Sequence, residues 1–190
     1  VSAKMRLGVR DASRAIECAT AIAEAVASRL VVHARTKVDG YAPPAHWHWI
    51  AHIREAVGGY LPVVANGEVW CLDDYRRIRA ETGCEDVMIG RGAVADPWLA
   101  RRIQADLAGD EMVFPSGDAW ASLRPSLLVF WHALQARVGP RYAQGRLKLW
   151  LNALRRTYPG AEALYQQIRP LRDCAAIEVL LAVPVLPHNR

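Results

Sequence analysis

At 190 residues, 52% of them hydrophobic and 23% charged, the chain has the size of one domain or one and a half, and its apolar content excludes a disordered polymer. No apolar run reaches the length of a membrane span and Val1–Arg6 lacks the apolar core of a secretion signal, so a cytoplasmic protein without a membrane partner is expected. The net charge of +5 is uneven: residues 1–113 hold 14 Lys and Arg against 15 Asp and Glu, a balance of −1, whereas residues 114–190 hold 10 against 4, a balance of +6.

In chain order, Val1–Met5 predicts a strand, followed by a helix over Ala12–Ala27 with Ile16, Ala19, Ala23 and Val26 at three- and four-residue spacing. Leu30-Val31-Val32 is a continuous apolar run ending at His33, the pattern of a strand buried on both faces. Trp47–Val57 predicts the next helix, Pro62–Ala65 a third strand ending at Asn66-Gly67, and Leu72–Thr82 its helix, terminated by Gly83. Asp86–Ile89 predicts a fourth strand ending at Gly90-Arg91-Gly92. A helix then runs to about Leu107, with Asp96 as N-cap and Pro97 at its first position. After a linker over Asp110–Gly117, the text predicts helices over Trp120–Val138, Tyr142–Thr157, Ala161–Ile168 and Cys174–Ala182, separated by Gly139-Pro140, Pro159-Gly160 and Pro170.

Four strand–helix units in series imply a parallel sheet, in either an open doubly wound fold or a barrel. Each strand delivers polar or glycine residues at or near its C-terminal end: Lys4, His33, Asn66 with Glu68, and Gly90 with Arg91. Barrel enzymes build their sites there, whereas a dinucleotide-binding sheet needs a G-x-G-x-x-G after its first strand, and none is present. The expected fold class is therefore α/β, the second half of a (β/α)8 TIM-type barrel in residues 1–113, followed by an all-α helical domain in residues 114–190. Four strands are half of a barrel, so the rest is expected upstream of Val1. A half barrel leaves sheet edges unpaired, and self-association of the isolated chain is the expectation.

Gly90-Arg91-Gly92 after an apolar strand suits a phosphate, since glycine lets the backbone approach and arginine adds a bidentate cation; a tight turn with a surface arginine has the same text. Asn66-Gly67-Glu68 can bond sugar-like hydroxyls, or simply satisfy a local turn. Lys4 on an apolar strand either lines a polar pocket or reaches out from a sheet edge; in a flavin site a cation near the pyrimidine end of the ring stabilises the reduced form. His33 reads as a satisfied core group or a functional one. In the helical segment, Leu147, Leu151, Leu154 and Tyr158 form a packing stripe, while Lys148, Asn152 and Arg155 line a separate face. With Arg146 and Arg169 they are candidates for RNA phosphates and bases, the alternative being a merely soluble basic surface. His48 and His52 at i, i+4 beside His46 have no evident acidic or thiol third ligand, so no metal is expected. Cys18, Cys71, Cys84 and Cys174 form no C-x-x-C pair and read as free thiols, and the tryptophans as packing anchors.

Four stretches, in order, resemble the tRNA-dihydrouridine synthases: Val1-Ser2-Ala3-Lys4-Met5-Arg6-Leu7-Gly8, Val32-His33-Ala34-Arg35-Thr36-Lys37 with Gly40-Tyr41, Ala65-Asn66-Gly67-Glu68, and Val87-Met88-Ile89-Gly90-Arg91-Gly92. Gly145-Arg146-Leu147-Lys148-Leu149-Trp150-Leu151 resembles the subfamily specific for U16. The resemblance implies a flavin barrel with a helical tRNA-binding domain, monomeric at full length. It implies that NADPH reduces FMN, that a hydride passes to C6 of a uridine, and that a cysteine protonates C5. By motif match, Lys4, His33, Asn66, Gly67, Glu68, Gly90 and Arg91 would contact FMN, while Arg6, Arg35 and Tyr41 would lie near the uridine or its backbone, and Arg146, Lys148 and Arg169 would meet tRNA. None of the four cysteines matches the context of the family's proton donor, so the chain alone is expected not to reduce uridine. Two other readings stay open: a non-catalytic RNA-binding fragment, and another FMN or sugar-phosphate barrel with an unrelated tail.

Overall fold

A computed structural model of the protein describes residues 1–114 and 118–183. Its chain forms two compact units, one ending at Ala93 and the other beginning at Val94. The first is a parallel sheet of β1 (Ser2–Arg6), β2 (Arg29–His33), β3 (Val63–Asn66) and β4 (Val87–Met88), hydrogen-bonded in chain order. Helices α1 (Ala15–Glu24), α2 (His48–Ala56) and α3 (Leu72–Thr82) connect successive strands. This is the four-stranded parallel part of a TIM-type barrel, and a helical region follows it.

The elements follow from side-chain pattern. Leu30, Val31 and Val32 are all buried, as the uninterrupted apolar run requires of a strand covered on both faces. On α2, Ile50 and Ile53 are fully buried, and on α3 Tyr75, Ile78 and Thr82 face inward at three- and four-residue intervals. Gly83 ends α3 in the left-handed region, at φ +66°, donating its amide to the Arg79 carbonyl.

Several boundaries differ from expectation, three of them with a bearing on the packing. Helix α1 starts three residues late because Asp11 accepts from the Ser13 amide and hydroxyl, holding a turn there. A short helix, α4 (Arg91–Ala95), follows β4 directly where a loop was expected. Asp96 is not the N-cap of the next helix, α5 (Leu99–Ala108): that position is Trp98. Asp96 is buried, accepting from the Trp98 amide, from Arg102 and from the Tyr158 hydroxyl.

The second unit contains α5, α6 (Ala119–Val138), α7 (Pro140–Leu154), α8 (Pro159–Ile168) and α9 (Cys174–Ala182). Pro140 and Pro159 stand at the first helical positions, where the missing amide costs nothing. Asp118 and Asp173 cap α6 and α9 through their carboxylates. Leu127, Trp131, Leu147, Leu151, Leu154, Ile168 and Ile177 are fully buried at its centre. Compactness divides the chain at 93/94, not at 113/114, because Trp98 packs on this helical core and its indole donates to the Ala119 carbonyl. Of the expected linker, residues 115–117 lie outside the described residues. Among the described residues no helix is long and apolar enough to cross a membrane.

Candidate functional site

Strand register sets the site. Arg6 stands opposite His33, His33 opposite Asn66, and Asn66 opposite Met88, so one row of residues crosses all four strands at their C-terminal ends. Lys4 lies two residues before Arg6, on the same face of β1. Above this row opens a cavity of about 600 Å³, lined by Lys4, Arg6, His33, Tyr41, Asn66, Gly67, Glu68, Gly90 and Arg91, with Met5, Val69, Trp70, Met88, Ile89 and Gly92.

The Lys4 ammonium donates to Asn66 Oδ1 at 2.8 Å and approaches the Met88 sulfur at 3.3 Å. The Asn66 amide in turn donates to the Met88 carbonyl at 2.7 Å, which orients its oxygen toward the lysine. Burial, and then the charge of Arg6, hold the Lys4 pKa below its usual value. His33 is 8% exposed. Burial first, then Arg6, Arg35, Lys4 and Arg91, push its pKa down to about 4, so it is a neutral imidazole at neutral pH.

Arg35, expected near the uridine or its backbone, has a fully buried side chain that donates to the Ala42 carbonyl at 2.7 Å and is ion-paired with Glu68. Its Nη1 is buried with no hydrogen-bond partner among the described residues. Burial, and next the charge of Arg91, lower its pKa from the ordinary arginine value. Glu68, expected as an FMN contact, lines the cavity; one carboxylate oxygen serves Arg35 and the other accepts from the Trp70 indole at 2.8 Å. Glu68 adopts φ +59°, a left-handed conformation rare outside glycine.

Arg91 stacks on aromatic faces, its guanidinium carbon 4.3 Å from the Tyr41 ring centroid and 5.0 Å from that of Trp70. Arg6 also lies over Tyr41, at 5.3 Å, and donates to the Thr36 and Gly40 carbonyls, fixing the loop that carries the tyrosine. Trp70 was missed by the sequence reading. Its place two residues after Asn66-Gly67-Glu68 is the only cue the text offered.

The glycines divide by role. A Cβ on Gly92 would meet the Val69 carbonyl oxygen at 2.0 Å, so this glycine lets α4 touch the loop after β3. A Cβ on Gly90 would meet nothing within 4 Å, leaving its backbone bare to the cavity. The lining holds three cations, Lys4, Arg6 and Arg91, against one carboxylate that is already paired. That donor set fits a phosphate-bearing flavin: cations, a bare backbone and a neutral imidazole surround one space.

In the second unit the stripe Leu147, Leu151, Leu154 and Tyr158 is buried. Of the candidate RNA residues, Arg146, Asn152 and Arg169 are exposed. Lys148 and Arg155 have partners within the protein. Lys148 donates to the Leu171 carbonyl at 2.6 Å; Arg155 pairs with Glu162 and stacks on Tyr165. His48 and His52 lie 6.0 Å apart between ring centroids, and among the described residues no group of three or more His, Cys, Asp or Glu side chains is placed to hold a metal ion.

Comparison with known proteins brings the same strand ends into focus. The chain is 54% identical over 183 residues to a tRNA-dihydrouridine(16) synthase of Aquipseudomonas alcaligenes, covering 96% of this chain and 56% of that protein. It is 54% identical over 177 residues to one of Ralstonia nicotianae, covering 93% and 52%. With one of Neisseria meningitidis serogroup B it shares 43% over 184 residues, covering 96% and 54%. The chain thus spans about half the length of the curated relatives it matches. The family model described as dihydrouridine synthase (Dus) matches residues 1–118, which include every residue lining the cavity, and the chain belongs to that family of tRNA-modifying flavin oxidoreductases.

Proposed function

We propose that the protein reduces uridine to 5,6-dihydrouridine in tRNA, at position 16, with FMN as cofactor and NADPH as reductant. In this reading residues 1–113 hold FMN and residues 114–190 meet tRNA. The observation that carries it is the convergence of Lys4, His33, Asn66, Gly67, Gly90 and Arg91 on one cavity, in a chain similar to proteins bearing that name.

FMN, when bound, supplies the hydride that reaches C6 of the uridine. Lys4, braced by Asn66, offers a fixed positive charge to the electron-rich end of a flavin ring. His33, neutral at working pH, bonds without adding charge. The Gly90 backbone and Arg91 would hold the phosphate, and Gly67 leaves room beside His33, whose Cδ2 would lie 3.5 Å from a Cβ built there. Tyr41, 60% exposed at the rim, is placed for the incoming nucleotide, as is Arg6 behind it. The proton for C5 would come from a residue outside this set, since among the described residues no cysteine lines the cavity.

The test is to purify the full-length protein, read its flavin absorbance, and assay NADPH-dependent dihydrouridine at position 16 of an unmodified tRNA. Flavin-bearing protein that forms dihydrouridine there is the expected result; a colourless, inactive protein rejects the reading. The absence of a cysteine at the cavity favours one second reading, a tRNA-binding chain without chemistry of its own. It predicts salt-sensitive tRNA binding by these 190 residues with no dihydrouridine formed when FMN and NADPH are added.

A further inference from the structure

Arg91 is the cavity's least committed cation. Lys4 bonds Asn66 and Arg6 bonds two loop carbonyls, whereas Arg91, among the described residues, lies against the aromatic faces of Tyr41 and Trp70 alone. An arginine held by stacking keeps its N–H donors available in the plane of the guanidinium. What places it is therefore whatever places those rings.

Trp70 is held from three sides. Its indole nitrogen donates to Glu68, whose other carboxylate oxygen pairs with the fully buried Arg35. Its backbone amide donates to Asp74 in the first turn of α3 at 3.0 Å. The neighbouring Val69 carbonyl packs so closely on Gly92 that no side chain fits between, locking the loop after β3 to α4. The ion pair and indole bond also hold Glu68 in its left-handed backbone conformation.

We propose that Arg35, Glu68 and Trp70 form a positioning relay that aims Arg91 at the phosphate of the cofactor. Glu68 and Arg35 then act through Trp70 and make no contact of their own with flavin or RNA. The proposal rests on the FMN reading above, and ties the ends of β2, β3 and β4 into one unit that discriminates FMN from a flavin without phosphate.

The experiment compares FMN and riboflavin binding by fluorescence titration, using full-length apoprotein, wild type and two variants. Trp70→Leu removes the ring; Trp70→Phe keeps a flat face but loses the bond to Glu68. Trp70→Leu is expected to weaken FMN by about five- to tenfold, the scale of a partly desolvated cation–π contact, while riboflavin changes by less than about twofold. Trp70→Phe should lose about two- to threefold in the FMN-to-riboflavin ratio, as expected of a freed neutral hydrogen bond partly replaced by water. Equal weakening of both flavins by Trp70→Leu, or an unchanged ratio in both variants, overturns the relay. Should Trp70→Leu not fold, the ratio in Trp70→Phe decides alone. Wild-type protein that binds neither flavin refutes the FMN reading itself, a separate outcome.

Discussion

Two glycines on either side of Arg91, Gly90 and Gly92, make the sharpest test at the residue scale. A methyl at Gly92 must push aside the Val69 carbonyl, because the contact would be 2.0 Å against backbone. Gly92→Ala should therefore destabilise by about 3 kcal/mol or more, the range of backbone-strain defects. Gly90→Ala places its methyl in open space, so its stability should stay within about 0.5 kcal/mol of wild type. The same methyl stands in the cavity, and FMN affinity should fall all the same. Urea unfolding and flavin titration of both variants check this; an equal effect of the two on stability would contradict it. His33 gives the pH prediction. Its folded pKa of about 4 lies below the unfolded value of about 6.5, so between those values the unfolded chain takes up a proton that the folded one refuses. Its contribution is present above about pH 6.5 and is lost as the pH falls toward 4, by at most about 3 kcal/mol. Carboxylates titrate in the same window, so the measurement is the difference between wild type and His33→Gln: the variant should lose less stability than wild type between pH 7 and pH 4.5. Parallel curves would mean that His33 is not held neutral.

At the scale of elements, the lysine of α7 separates a structural cation from a ligand-facing one. Lys148 bonds the Leu171 carbonyl in the turn between α8 and α9, whereas Arg146 and Arg169 are exposed. Lys148→Met should cost about 1 kcal/mol in stability and leave the salt dependence of tRNA binding unchanged. Arg146→Ala and Arg169→Ala should leave stability alone and each reduce the slope of log affinity against log salt by about 1. A reversed pattern would restore Lys148 as the phosphate contact. Why the text misled here is physical. Helical spacing shows which residues share a face, and the buried stripe from Leu147 to Tyr158 was legible for that reason. Whether a cation on the other face meets water or a carbonyl depends on a turn 23 residues away. Strands β2 and β3 were legible because continuous apolar runs rich in valine have few alternatives, and their polar ends were visible in the same way. Helix α4 was not, since five residues make barely one turn and carry no periodicity. Nor was the Arg35–Glu68 pair, which joins residues 33 apart in the chain.

For the whole molecule, the sheet decides behaviour in solution. Strand β1 pairs only with β2 and β4 only with β3, so the outer edges of both carry unpaired backbone groups among the described residues. Charged side chains usually guard such edges. Here they are drawn elsewhere: Lys4 turns to Asn66 and Arg6 to the carbonyls of its neighbouring loop. The 190-residue chain expressed alone should therefore associate with itself, and sedimentation velocity over micromolar concentrations should show a weight average that rises with loading. Ionic strength separates the causes. Association through backbone pairing and apolar contact survives high salt, while association between the basic helical segment and acidic surface weakens as charges are screened. Persistence of the larger species at high salt is the expected result. A single monomeric species at all concentrations, unfolding cooperatively, would show that the two edges are short enough to be harmless, β4 being only two residues long.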